Sequence, residues 1–278
     1  MRRHPLLLFF VLANLVSWIA WAPLAAAGLG WTTMRFSPYL HLVGGLGPLV
    51  AGVVVTRVCD GRVGLVRLLE RCVAVRGQWG WIAFGVAAPA VLFAVSVVAL
   101  RTAGQGHFSW ADIGRSVEYP ALSRAAFWAA NVILYGFGEE VGWRGFALPR
   151  LQARRNALAS ALLISSAWAA WHLPLFAFAG GLSSLGFAGT AGWLSSMVTG
   201  SILMSWLFNT SRGSVIAVAL FHGVLDIVMT SPVGGALPSV MGAIITVSGL
   251  AVPFVFGGEN LARIPRVQQQ EAAPAMGS

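Results

Sequence analysis

The 278-residue chain is 57% hydrophobic and only 10% charged, with mean hydropathy +0.76, whereas a soluble domain runs to about 45–50% apolar and about 25% charged residues. That balance excludes an ordinary soluble enzyme. The net charge of +9 comes from eighteen arginines and no lysine, and these flank apolar runs instead of forming one basic face, which argues against nucleic acid as a partner.

In chain order, apolar runs of the roughly 20 residues needed to cross a hydrocarbon core of about 30 Å occupy residues 6–30, 39–58, 79–100, 124–148, 157–178, 189–208, 213–230 and 237–257. Each is expected to be a helix, because an open strand leaves its backbone groups unpaired in lipid. The expected fold class is therefore all-α, a polytopic membrane protein of about eight transmembrane helices around a buried polar site. Residues 1–123 read as N-terminal membrane helices with Arg-rich loops, 124–230 as the core carrying the polar residues, 231–266 as the last transmembrane helix, and 267–278 as a disordered tail.

The first run starts after Arg2 and Arg3 and ends at Ala25-Ala26-Ala27, a pattern shared with cleaved signal peptides. Its apolar stretch exceeds the roughly 7–15 residues of a signal h-region, so it is read as a retained helix. With the N-terminus inside, fourteen arginines, Arg144 among them, fall on the cytoplasmic side, against Arg35, Arg101, Arg115 and Arg124 outside. Both termini are expected in the cytoplasm, with the protein in a bacterial inner membrane. Cys59 and Cys72 lie in the Arg-rich second loop, where a reducing environment makes a disulfide unexpected.

Only nine acidic residues occur, yet Glu139, Glu140 and Asp226 fall within apolar runs, as do Arg144, His172 and His222. Ionisable groups in hydrocarbon are costly, so such residues mark function. At 1.5 Å per residue, Glu139, His172 and His222 lie about 16, 22 and 14 Å from the cytoplasmic ends of their helices, one common depth within a boundary error of about 5 Å. Glu140 and Arg144 are i, i+4 partners, offering a buried ion pair, while Glu139 is turned about 100° away and left free. Asp226, one turn from His222, can hold that ring and select its tautomer. Gly136, Gly138, Gly142 and Gly145 thin the fourth helix for close approach, and the Leu173-Pro174 step interrupts the fifth. Trp143, Trp168 and Trp171 read as packing or interface anchors. His41 and His107 show no partner pattern and are assigned no function.

At these residues the chain resembles a known family. Glu139-Glu140-Val141-Gly142-Trp143-Arg144-Gly145 is similar to a double-glutamate and arginine motif, Trp168 to His172 with Leu173-Pro174 to an aromatic-to-histidine motif, and His222-Gly223-Val224-Leu225-Asp226 to a histidine motif closed by a polar residue. The family is the CPBP group of intramembrane proteases, comprising CAAX prenyl endopeptidases of the Rce1 type and the bacteriocin-processing or immunity (Abi) proteins. The resemblance covers about residues 124–230 and implies peptide-bond hydrolysis of a membrane-associated, CAAX-like or otherwise lipidated substrate, with membrane lipid as surroundings.

In the preferred mechanism no cofactor is required. Glu139 acts as general base on a water that His172 helps orient, His222 with Asp226 faces the oxyanion, and Glu140 with Arg144 supports them. A second version places a divalent metal such as zinc on Glu139, His172 and His222, without local His-Glu-x-x-His spacing. The common family pattern has asparagine where this chain has Asp226; an ionised aspartate can only accept a hydrogen bond, so Asp226 is expected to be protonated, to orient His222 or to bind a metal. Two other function classes stay open: a non-enzymatic scaffold or immunity protein that uses the same fold, and a proton-coupled transporter, for which the expected internal symmetry is not found.

Overall fold

The computed structural model describes residues 4–105 and 108–269, and every regular element within them is helical. Helix α1 spans Pro5–Gly28, its proline at a first-turn position where no amide hydrogen bond is lost. Helix α2 spans Tyr39–Cys59, with a turn at Gly45 and Leu46; α3 is the Arg-rich Gly61–Val73 and α4 is Trp79–Thr102. Helix α5 occupies residues 124–152. Then follow α6, Ala157–Trp171, α7, Gly186–Thr210, α8, Val215–Thr230, and α9, Leu237–Phe256.

The eight expected segments are all helical. Six of the described segments are long and apolar enough to cross a membrane: α1, α2, α4, α9, and α6 and α7 with the short helical turns beside them. Helix α8 is apolar but shorter, 16 residues, or about 24 Å of rise. Helix α5 is divided between α and π geometry and carries five charged residues, Arg124, Glu139, Glu140, Arg144 and Arg150. The protein is thus a polytopic all-α integral membrane protein. Its outward faces present residues such as Ile19, Val98, Val247 and Phe254, each more than half exposed in the isolated chain, as expected for surfaces solvated by lipid tails.

The core is aromatic at the meeting of α1, α5 and α6. Phe9 stacks on Phe146 with centroids 4.9 Å apart, and Trp171 packs against Trp21 at 4.6 Å and Trp143 at 6.2 Å. Polar atoms inside this cluster find partners: Trp171 Nε1 donates to Ser17 Oγ at 2.7 Å, Ser17 Oγ donates to the Gly44 carbonyl at 2.6 Å, and Trp18 Nε1 donates to the Trp171 carbonyl at 3.0 Å. These bonds stitch α1 to α2 and α6, so α1 is part of the packed core.

Three expectations are revised. The fifth span, expected over 157–178, ends as an α-helix at Trp171; a 3-10 turn over Leu173–Ala177 follows, because Pro174 has no amide hydrogen to continue the ladder. Arg144 is fully buried and ion-paired, so it does not count as a loop arginine. Of the expected tail, residues 267–269 are anchored: Val267 N donates to Asn209 Oδ1 at 3.1 Å, its carbonyl accepts from Gln152 Nε2 at 2.6 Å, and Gln269 N donates to the Pro149 carbonyl at 3.0 Å. Residues 270–278 and His107 lie outside the described residues.

Candidate active site

Each site-bearing helix starts from a side-chain cap. Ser123, Asn156 and Ser214 accept hydrogen bonds from the amides of Ala126, Ala159 and Ala217 at the starts of α5, α6 and α8, satisfying amides that would otherwise lack partners in a low-dielectric setting. Within α5, π-helical turns over Asn131–Phe137 and Val141–Ala147 flank Gly138–Glu140. Such turns widen the helix and occur preferentially at functional sites. They place both carboxylates between two locally unwound stretches.

Close backbone approach makes room for these wide turns. A Cβ on Gly136 would lie 2.3 Å from the Ala219 carbonyl oxygen of α8, and one on Gly142 would lie 2.4 Å from the Pro48 carbonyl oxygen of α2. Any larger residue would push the helices apart.

The two glutamates are separated chemically. Glu140 is wholly buried, and its Oε1 accepts from Arg144 Nη1 and from His222 Nδ1, both at 2.9 Å. Arg144 also donates from Nη2 to Ser201 Oγ at 3.1 Å, and Ser201 Oγ donates to the Ala161 carbonyl at 3.1 Å, tying the ion pair to α6 and α7. Its guanidinium lies 5.3 Å from the centre of the Trp168 ring. Glu139 takes no part in that pair; its Oε2 accepts from Trp168 Nε1 at 2.7 Å.

The histidines differ in what they offer. His172 caps α6 and its Nδ1 lies 2.8 Å from the Trp168 carbonyl oxygen. A carbonyl only accepts, so Nδ1 carries the proton and Nε2 of the neutral ring is a free acceptor. In His222, Nδ1–H is committed to Glu140, and Nε2 faces Asp226 Oδ2 at 3.5 Å, a distance too long for a strong hydrogen bond. The sequence had suggested Asp226 as the group that holds this ring. The structure gives the nearer hold to Glu140, a residue 82 positions away.

Glu139, His172, His222 and Asp226 line one cavity of about 280 Å³, with Trp168 and Trp193 among its walls. Glu140 and Arg144 lie behind it. All six residues singled out in the sequence are therefore brought into one region, four on the cavity and two supporting His222 from the protein side. Among the described residues no group of three or more His, Cys, Asp or Glu side chains is placed to hold a metal ion. Nδ1 of each histidine is bonded to protein and Oε2 of Glu139 to Trp168, so Nε2 of the two rings and Oε1 of Glu139 are the atoms left to face the cavity.

Sequence reasoning missed Trp168, whose indole N–H bonds Glu139; its spacing of four from His172 was the available signal. It also missed His41, which lines the cavity mouth with Nδ1 2.8 Å from Glu118 Oε1 and 3.2 Å from the Tyr119 hydroxyl, itself 2.9 Å from the Tyr135 hydroxyl. No pattern within one helix could reveal it, because Glu118 and Tyr119 are 77 and 78 positions away.

Residues 121–228 match the family model described as type II CAAX prenyl endopeptidase, Rce1-like. A curated protein named CAAX prenyl protease 2, from Methanococcus maripaludis, is 28% identical over 94 residues, covering 32% of this chain and 34% of that relative. The matched part thus spans about a third of the relative's length.

Proposed function

We propose, from the premise that residues 121–228 form a domain of the Rce1-like family of type II CAAX prenyl endopeptidases, that this protein is an intramembrane endopeptidase. Its substrate is a membrane-associated peptide, of which the CAAX-like, lipidated tail named for the relative is one form. We place both termini in the cytoplasm, from the arginine distribution, and read the membrane as a bacterial inner membrane from the short chain of 278 residues. The observation that carries the proposal is the division of labour between adjacent carboxylates: Glu140 is consumed by Arg144 and His222, while Glu139 lines the cavity with only Trp168 bonded to it.

In the reaction, Glu139 takes a proton from a water in the cavity as its oxygen attacks the scissile carbonyl carbon, and the free Nε2 of His172 accepts a hydrogen bond that fixes the water. His222, held by Glu140, presents Nε2 to the developing oxyanion. In its protonated form that nitrogen donates to the oxyanion, stabilising the charge that develops there. Collapse of the tetrahedral species breaks the C–N bond, and Glu139 returns the proton to the departing amine. Arg144 donates to Glu140 and holds that carboxylate in place.

The test is cleavage of a membrane-anchored reporter by purified protein in detergent or liposomes. Glu139→Gln is expected to lose activity by at least about 100-fold, the lower end for general-base removal, with an unchanged melting temperature. Full activity in this variant eliminates Glu139 as the base.

A further inference from the structure

We infer that the crevice between α2, α3 and α5, apart from the cavity of the carboxylates, is a binding site for a phosphate group carried by an anionic phospholipid. Its walls include Thr56 of α2, Arg67 and Arg71 of α3, Gly145 and Arg150 of α5, and Gln269. The crevice has a volume of about 10 Å³, room for one water-sized group. One phosphate oxygen therefore enters, and the rest of the headgroup stays at the lip.

The charges of the crevice are unevenly matched. Arg150 is committed: Nη1 donates to the Phe146 carbonyl at 2.8 Å, Nη2 pairs with Asp60, and the guanidinium lies 3.7 Å from the centre of the Phe146 ring. Arg67 and Arg71 form no ion pair among the described residues. They are four apart on α3, so two like charges share one side of the helix. Burial, and after it the charge of Arg67, lowers the pKa of Arg71. An anion seated between the two guanidiniums offsets both effects.

A second observation points to the same ligand. Thr56 is 2% exposed, and its Oγ1 has no hydrogen-bond partner among the described residues. A helical threonine commonly returns its hydroxyl to a carbonyl one turn back; this one does not. A buried donor left unpaired is costly, and a phosphate oxygen in the crevice would accept from it.

The exposed side of α3 identifies the carrier. Val63, Val66, Leu69 and Val73 are 47–69% exposed, whereas Gly64, Leu68 and Cys72 on the other side are buried against the protein. A helix with an apolar outer side and arginines at its flank lies in the membrane interface. Val63 and Arg67 are neighbours on its surface at i, i+4, so one molecule that offers acyl chains to the first and a phosphate to the second is a phospholipid. Basic pockets between membrane helices bind such head groups. The site also reaches the carboxylate-bearing helix: Arg71 Nη1 donates to the Gly145 carbonyl at 3.4 Å, within the π turn Val141–Ala147. A bound headgroup thus braces α2 and α3 against that turn.

The test is binding by the full chain, purified in detergent and stripped of lipid, and it requires no proteolysis. Phosphatidylglycerol in mixed micelles is expected to raise the melting temperature and to stay bound in native mass spectrometry, whereas phosphatidylcholine and millimolar inorganic phosphate do neither. Arg67→Gln is expected to weaken phosphatidylglycerol binding by about tenfold or more, and Thr56→Val by about three- to tenfold. Without lipid, Thr56→Val should melt no lower than the parent, because its hydroxyl has no bond to lose. Arg62→Gln, on the same helix but outside the crevice, should leave the affinity unchanged. Equal stabilisation by phosphatidylcholine, equal weakening in Arg62→Gln, or full affinity in both Arg67→Gln and Thr56→Val overturns the inference. Inorganic phosphate that alone reproduces the whole shift overturns the lipid as the carrier.

Discussion

Nδ1 of His222 lies 2.9 Å from Oε1 of Glu140, the same oxygen that accepts from Arg144. One buried carboxylate oxygen thus fixes a guanidinium on its own helix and an imidazole on another. The pair is wholly removed from solvent, where cutting away one partner leaves an uncompensated charge. Glu140→Gln should therefore destabilise the protein by about 3–5 kcal/mol, read as a large fall in the detergent melting temperature. Glu139→Gln should leave that temperature unchanged and remove only activity. Equal melting temperatures for the two variants would contradict the assigned division.

Trp168 holds Glu139 through a single indole N–H at 2.7 Å. Trp168→Phe keeps most of the ring volume and deletes that donor. A hydrogen bond to a charged group contributes about 1.5–3 kcal/mol, so kcat is expected to drop roughly 10- to 150-fold with substrate KM little changed. Retention of the full rate would show that the indole only packs.

Asp226 approaches His222 Nε2 no closer than 3.5 Å, and Glu140 already holds the ring. An amide at this position can accept from His222 and also donate towards an oxyanion. Asp226→Asn is expected to keep activity within about tenfold, a difference of about 1.4 kcal/mol in barrier. Loss of activity as deep as in Glu139→Gln would instead assign Asp226 an obligatory negative charge.

The α5–α8 contact can be probed at Gly136, where an added Cβ would lie 2.3 Å from the Ala219 carbonyl. Gly136→Ala should cost about 1–3 kcal/mol, as for other overpacked sites, and lower activity by displacing the carboxylate-bearing turn. Gly192→Ala, where nothing lies within 4 Å, is the control and should be neutral. Equal melting temperatures would remove close packing as the reason for the glycine.

On the arginine-rich side, burial pushes the Cys72 thiol up to about 11, with Arg71 nearby pulling in the opposite direction. Only about one thiol in a thousand is then ionised at pH 8, and the thiolate is the reactive form. Alkylation of Cys72 by iodoacetamide, followed by mass spectrometry, should be slow at pH 8 in the folded protein and rapid once it is denatured. Rapid reaction of the folded protein would show an accessible, ordinary thiol.

Composition and hydropathy by themselves determined that the chain is a helical membrane protein, because unpaired backbone groups are intolerable in lipid and leave few alternatives. They also singled out Glu139, Glu140, Arg144, His172, His222 and Asp226, since charge in hydrocarbon is conspicuous, and the Glu140–Arg144 pair, since i, i+4 spacing is a local property of a helix. Tertiary structure alone decided which groups the remaining side chains serve. Glu140 holds His222 across 82 positions, Trp168 bonds Glu139 across 29, and His41 meets Glu118 across 77. Such contacts depend on how helices rotate and abut, and on the two π turns that reset the phase of α5; no periodicity within one segment encodes them.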